Sequence, residues 1–147
     1  MPIVLATIEI VLNLVIQSLT VTLVFRLLAR NRNKGNIGRS FGRDTIALSQ
    51  VMVVLFLGHL AQIALWAIPF RIFGEFSEFR TAFYHSAVNY TTLGYGDIVM
   101  SEEWRILGAL EAASGVLMFG VSTATFFAIM RHLFSLRQQG AATEGVD

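Results

Sequence analysis

The stretch Thr91-Thr92-Leu93-Gly94-Tyr95-Gly96-Asp97 combines residue types suited to one specific piece of chemistry. Gly94 and Gly96 flank Tyr95 and can take backbone angles closed to other residues. A segment that alternates such residues can turn successive carbonyl oxygens to one side, where a β-strand would send them to opposite sides. A row of carbonyls facing one axis can replace the water shell of a dehydrated cation. The plain alternative is a glycine-rich surface turn between two helices, and the surrounding chain has to decide between them.

The surroundings are those of a membrane protein. Of 147 residues, 54% are hydrophobic and 14% charged, with a mean hydropathy of +0.62, outside the range of ordinary soluble domains. A net charge of +1 argues against polyanion binding, so no nucleic-acid partner is expected. The absence of cysteine excludes disulfides, thiol chemistry and Cys-ligated metals. His59, His85 and His132 are scattered without metal-ligand spacing. No organic cofactor and no catalytic residues are expected.

Three segments reach the roughly 20 apolar residues needed to cross a bilayer: Ile3–Phe25, Ile46–Phe70 and Trp104–Leu133. No Lys or Arg precedes Arg26, and the first run is too long for a cleaved leader, so a retained transmembrane helix is expected. A fourth helical segment, Phe79–Tyr90, is amphipathic and aromatic but too short to cross. It leads directly into the glycine motif. A short helix followed by irregular backbone is the pattern of a re-entrant loop, tolerated at membrane depth only where it lines a watery path or is buried in protein.

Charge sets the expected orientation. Arg26, Arg30, Arg32, Lys34, Arg39 and Arg43 follow the first span, and Arg131 and Arg137 mark the exit of the third. The region around the short helix instead holds Arg71, Arg80 and Arg105 among five acids, Glu75, Glu78, Asp97, Glu102 and Glu103. The positive-inside rule therefore puts the basic loop and the C-terminus in the cytoplasm, with the N-terminus and the re-entrant loop outside. The loop is also expected to lie near anionic lipid headgroups.

Thr92-Leu93-Gly94-Tyr95-Gly96 closely resembles the potassium-channel signature Thr-Val-Gly-Tyr-Gly, with Leu93 in place of Val. From about Ile46 to Leu133 the chain looks like that family's pore module, and Ser114-Gly-Val-Leu-Met-Phe-Gly-Val-Ser-Thr-Ala124 resembles the inner helix of small bacterial members. The resemblance implies an all-α membrane protein with three transmembrane helices, a re-entrant pore helix and a selectivity filter, assembled as a homotetramer because four loops are needed to ring an ion. Apolar length and composition add, outside the resemblance, an extra helix over 1–30, a basic loop over 31–45 and a disordered tail over 137–147, around a pore domain over 46–136. Within the pore domain the outer helix is 46–70, the pore helix 79–91, the filter 92–97 and the inner helix 104–136. Thr92, Leu93, Gly94, Tyr95 and Gly96 would form the filter for permeant potassium, with the Tyr95 ring turned away to pack on aromatics. Thr91, Asp97, His85 and Tyr84 would support it. Relatives often carry a Trp pair where this chain has Tyr84-His85; His85 either clamps Asp97 as the second Trp of the pair does in them, or packs among Tyr84, Phe83 and lipid headgroups with no link to Asp97. Gly115 falls at the hinge position, Phe119 and Thr123 at cavity positions, and Phe127 with Met130 at the expected gate; close packing of small residues is the other reading of Gly115. The implied activity is passive potassium conduction across a cell membrane. A weakly selective cation channel and a non-conducting partner subunit are its rivals.

The first span lies outside the resemblance. Glu9, Asn13, Gln17 and Thr20 share one of its faces, and His59 and Gln62 share a face of the second span. Counting from the membrane edges predicts a polar seam in which His59 and Gln62 lie near the depths of Asn13 and Glu9. Structural glue and a Glu9–His59 proton sensor are both open readings. Glu111, a further intramembrane acid, could bond the back of the pore helix or sit protonated in a polar pocket. The first span carries only Arg26 and Arg30 at one end and is no voltage sensor.

Overall fold

Inside a bilayer every backbone N–H and C=O must find its partner within the segment or its immediate neighbours, and the long apolar runs form uninterrupted helices. The computed structural model describes residues 1–33, 37 and 40–144, with side chains through Gln138. Helix α1 spans Pro2–Asn33, α2 Phe41–Ile72, α3 Phe79–Tyr90 and α4 Arg105–Glu144. No strand occurs among the described residues. Helices α1, α2 and α4 are each long and apolar enough to cross a membrane. At 1.5 Å per residue, α3 reaches only about 18 Å, well short of the roughly 30 Å hydrocarbon core.

The helices run past the apolar stretches that predict them. Ser40 caps the start of α2, its Oγ accepting from Arg43 N–H at 3.4 Å. Gly74, with φ 80°, turns the chain after α2. Within the tail over 137–147, helix α4 runs on to Glu144, and residues 145–147 lie outside the described residues. Arg137 anchors the start of this extension, with Nε 3.6 Å from Asp44 Oδ2 and its guanidinium 5.6 Å from the Phe41 ring centroid. Helix-favouring Ala141 and Ala142 follow. In the basic loop, Lys34, Gly35, Asn36, Gly38 and Arg39 lie outside the described residues.

Two compact units divide the chain. Residues 1–18 and 58–120 form the first, and 19–57 with 121–147 the second. The first contains α3 and the glycine motif. Its core gathers Ala6, Ile63, Trp66, Ala67, Phe70, Phe76, Ala82, Tyr90, Leu107 and Met118. Trp66 and Tyr90 are the bulkiest side chains fully buried, so the pore helix ends in the middle of a packed core. The second unit has its own core of Val24, Val51, Leu55, Ile129 and Leu133.

Candidate functional site

The end of α3 dictates how the glycine motif begins. Leu93 N–H bonds Val88 O at 2.9 Å and Thr92 N–H bonds Asn89 O at 2.8 Å, the paired bonds of a Schellman terminus. That motif requires a left-handed residue after the cap, normally glycine, and here it is Thr92 with φ 60°. Gly94 and Gly96 follow with φ 61° and 72°, while Leu93 and Tyr95 between them keep negative φ. Positive φ therefore recurs at every second residue from 92 to 96. The two glycines are the residues from which the sequence predicts this; Thr92 is not, because its left-handed angle comes from the helix terminus upstream. A left-handed L-residue costs about 1–2 kcal/mol, and glycine would carry no such cost.

Behind the motif, α3 offers a row of braces. Tyr84 Oη donates to Asp97 Oδ2 at 2.8 Å. This corrects the His85–Asp97 clamp: Tyr84 lies on the exposed side of α3, whereas the next residue turns inward. His85 is buried against the rings of Phe70 and Phe76, at 5.5 and 4.8 Å. Its Nδ1 lies 3.2 Å from Ile98 O, and its Nε2 lies 2.8 Å from Asn89 Nδ2. A carbonyl only accepts, so Nδ1 carries the proton and Nε2 accepts from Asn89. Burial pushes His85 below the usual histidine range; the Ile98 bond and the charges of Asp97 and Glu75 act the other way. The Asp97 carboxylate, as hydrogen-bond acceptor first, raises Tyr84 above the ordinary phenol range. Further along, Glu75 accepts from Ser101 N–H at 2.8 Å and from Ser101 Oγ at 2.7 Å, tying the segments on either side of the pore helix and motif together. Thr91 Oγ1 bonds back to Ala87 O at 2.7 Å.

On the opposite side, α4 approaches to backbone contact. A Cβ on Gly115 would stand 2.0 Å from Tyr90 O, so α3 and α4 can meet there only through glycine. This gives Gly115 a packing role. Ser86 Oγ lies 2.8 Å from Ile63 O and 2.5 Å from Glu111 Oε1. Glu111 thus accepts from Ser86 and bonds the back of the pore helix. The Phe119 ring meets His59 in a tilted contact at 4.4 Å and Tyr90 edge-on at 5.5 Å between centroids. Thr123 and Phe127 lie on exposed positions of α4 in the single protomer, while Met130 lines a cleft against Phe41 and Asp44 at the start of α2. Tyr95, expected to pack on aromatics, is 68% exposed in the protomer. A cleft of about 620 Å³ runs beside it, lined by Asn89, Thr92, Gly94, Gly96 and Gly108 among others.

The polar seam forms, in a different register. Glu9, Asn13, Gln17 and Thr20 are all buried, as are His59 and Gln62. Gln62 Nε2 donates to Gln17 Oε1 at 2.9 Å, so Gln62 sits about two helical turns from the expected level of Glu9. Both helices extend past their apolar runs, which displaced the membrane edges used for counting. The seam also reaches the pore helix, which the sequence did not signal: Tyr90 Oη donates to Gln62 Oε1 and lies 3.2 Å from His59 Nδ1.

No curated protein and no solved structure gives a significant match to this chain. One family, described as "Ion channel", matches residues 45–132. The match begins near the start of α2, runs through α3 and the glycine motif, and ends in α4. With three helices apolar enough to cross a bilayer, the chain is a multi-pass membrane protein, and it belongs to this ion channel family.

Proposed function

We propose that this ion channel is selective for potassium and that its filter is Thr92–Gly96. The observation that carries the reading is the alternation of positive φ at Thr92, Gly94 and Gly96 with negative φ at Leu93 and Tyr95. Alternating left- and right-handed residues bring successive carbonyls toward one side, the arrangement required to exchange water oxygens for protein oxygens around a bare cation. The Thr92 hydroxyl adds an oxygen at the inner end of the row. Leu93 contributes its carbonyl alone, so replacing Val by Leu leaves the ion-facing chemistry unchanged.

Four copies complete the ring. In the single protomer Leu93 is 53% exposed and Tyr95 68%, which agrees with neighbouring protomers covering them. The N-terminus and filter face outside, following the basic residues after α1. The C-terminal, partly negative end of α3 favours a cation below the filter. Phe127 narrows the cytoplasmic path, where an apolar ring can close it by dewetting.

Proteoliposomes loaded with potassium and diluted into sodium test this reading. With a protonophore present, selective potassium efflux drives proton uptake that a pH dye records. Proton uptake from the potassium-loaded vesicles, and proton release when potassium and sodium are exchanged between inside and outside, are expected. No proton flux together with rapid uptake of tracer rubidium identifies a weakly selective channel, and absence of both a non-conducting subunit.

A further inference from the structure

Helix α1 lies outside the residues that match the family, and nothing in the pore chemistry requires it. It nevertheless reaches the filter through three side chains. Gln17 of α1 accepts at 2.9 Å from Gln62 of α2, and Gln62 in turn accepts from the hydroxyl of Tyr90, the last residue of α3. With Tyr90 donating to Gln62, its remaining lone pair is free for the Nδ1–H of His59 at 3.2 Å. Gln17, Gln62, His59 and Tyr90 are all buried. In such surroundings a hydrogen bond is strong, and an amide that loses its partner cannot turn to water.

Tyr90 also controls where the filter starts. Its carbonyl abuts Gly115, and Thr91 and left-handed Thr92 follow directly. A shift or rotation of Tyr90 moves the first coordinating oxygens by a similar amount. We propose that α1 is a filter-positioning element: Gln17, acting through Gln62, holds Tyr90 and thereby the backbone of Thr92–Gly94. The assignment of an ionic role to that backbone rests on the potassium reading above; the mechanical link does not.

The test uses the full-length protein in detergent or nanodiscs and reads hydrogen–deuterium exchange in the peptide covering Tyr90–Gly96. Gln17→Leu removes the acceptor and keeps an apolar helix-former. Exchange in that peptide should rise several-fold while peptides from the second unit stay unchanged. Gln17→Glu keeps an acceptor oxygen and should restore most of the protection. Tyr90→Phe breaks the same link from the other end, and its combination with Gln17→Leu should add little beyond either single change, since both cut one chain of bonds. In bilayers, Gln17→Leu should alter the rubidium-to-potassium permeability ratio and shorten open bursts several-fold. Unchanged exchange over Tyr90–Gly96 in both Gln17→Leu and Tyr90→Phe, or effects that sum as independent sites, would overturn the proposal. Because exchange needs no current, that outcome is distinct from failure of potassium selectivity, which appears in the wild type alone.

Discussion

Tyr84 and Asp97 are joined across the pore loop by a 2.8 Å hydrogen bond, phenol to carboxylate, spanning from the middle of α3 to the residue just after the glycine motif. The bond fixes the far end of the motif, as the Schellman terminus fixes its near end. Tyr84→Phe removes the donor and keeps the ring. On the potassium reading proposed above, assembly should be unaffected, and current should decay several-fold faster in single-channel records. Unaltered open times would remove this bond from the account.

Gly115 and Gly120 give a stability contrast within one helix. A Cβ at Gly115 meets the Tyr90 backbone, which cannot yield, whereas one at Gly120 meets nothing within 4 Å. Gly115→Ala should therefore cost at least the roughly 1–3 kcal/mol typical of overpacking, and Gly120→Ala should be neutral or slightly favourable in a helix. Thermal unfolding of the purified protein checks this. Equal melting temperatures for the two variants would contradict the close approach of α3 and α4.

Thr92 separates stability from selectivity. Thr92→Gly relieves a left-handed threonine and should leave the fold as stable as before, or firmer by about 1 kcal/mol. It also removes the hydroxyl, so discrimination between potassium and sodium should fall. Gly94→Ala is the inverse case: with φ 61° the added Cβ is strained despite open space around it, and both folding and selectivity should suffer. Reversal potentials and melting curves on the two variants check the pair.

His85 makes the brace pH-sensitive in a definite direction. Burial holds its folded-state value below the unfolded one, so the fold favours the neutral ring. The associated stability is complete above the unfolded histidine value of about 6.5 and is lost as pH falls toward the lower folded value. A proton on Nε2 would face the Asn89 amide N–H and break that contact. Wild-type protein should lose thermal stability and open-state lifetime on acidification below about pH 6.5, and His85→Gln should flatten this dependence. Greater stability on acidification would instead favour a protonated clamp.

Much of this was legible because it depends on local chemistry. The bounds of α3, Phe79–Tyr90, follow from an amphipathic run closed by glycine chemistry, and the three crossing helices from apolar length alone. Positive φ at Gly94 and Gly96 follows from residue type. What was misread depends on rotation and register. Whether Tyr84 or His85 meets Asp97 is decided by one residue's turn of a helix, about 100°, which composition does not reveal. The Gln17–Gln62 pairing depends on where two helices slide past one another, and their ends lie beyond the apolar runs. The left-handed angle of Thr92 is not legible in its residue type, because it comes from bonds to Val88 and Asn89 while threonine itself disfavours it.

The central claim is that Thr92–Gly96 selects potassium, and it is tested most directly by the reversal potential of the purified wild-type protein in a planar bilayer with potassium on one side and sodium on the other. A reversal close to the potassium equilibrium potential is the predicted result; a reversal near zero, with the same open channels carrying both ions, would contradict it.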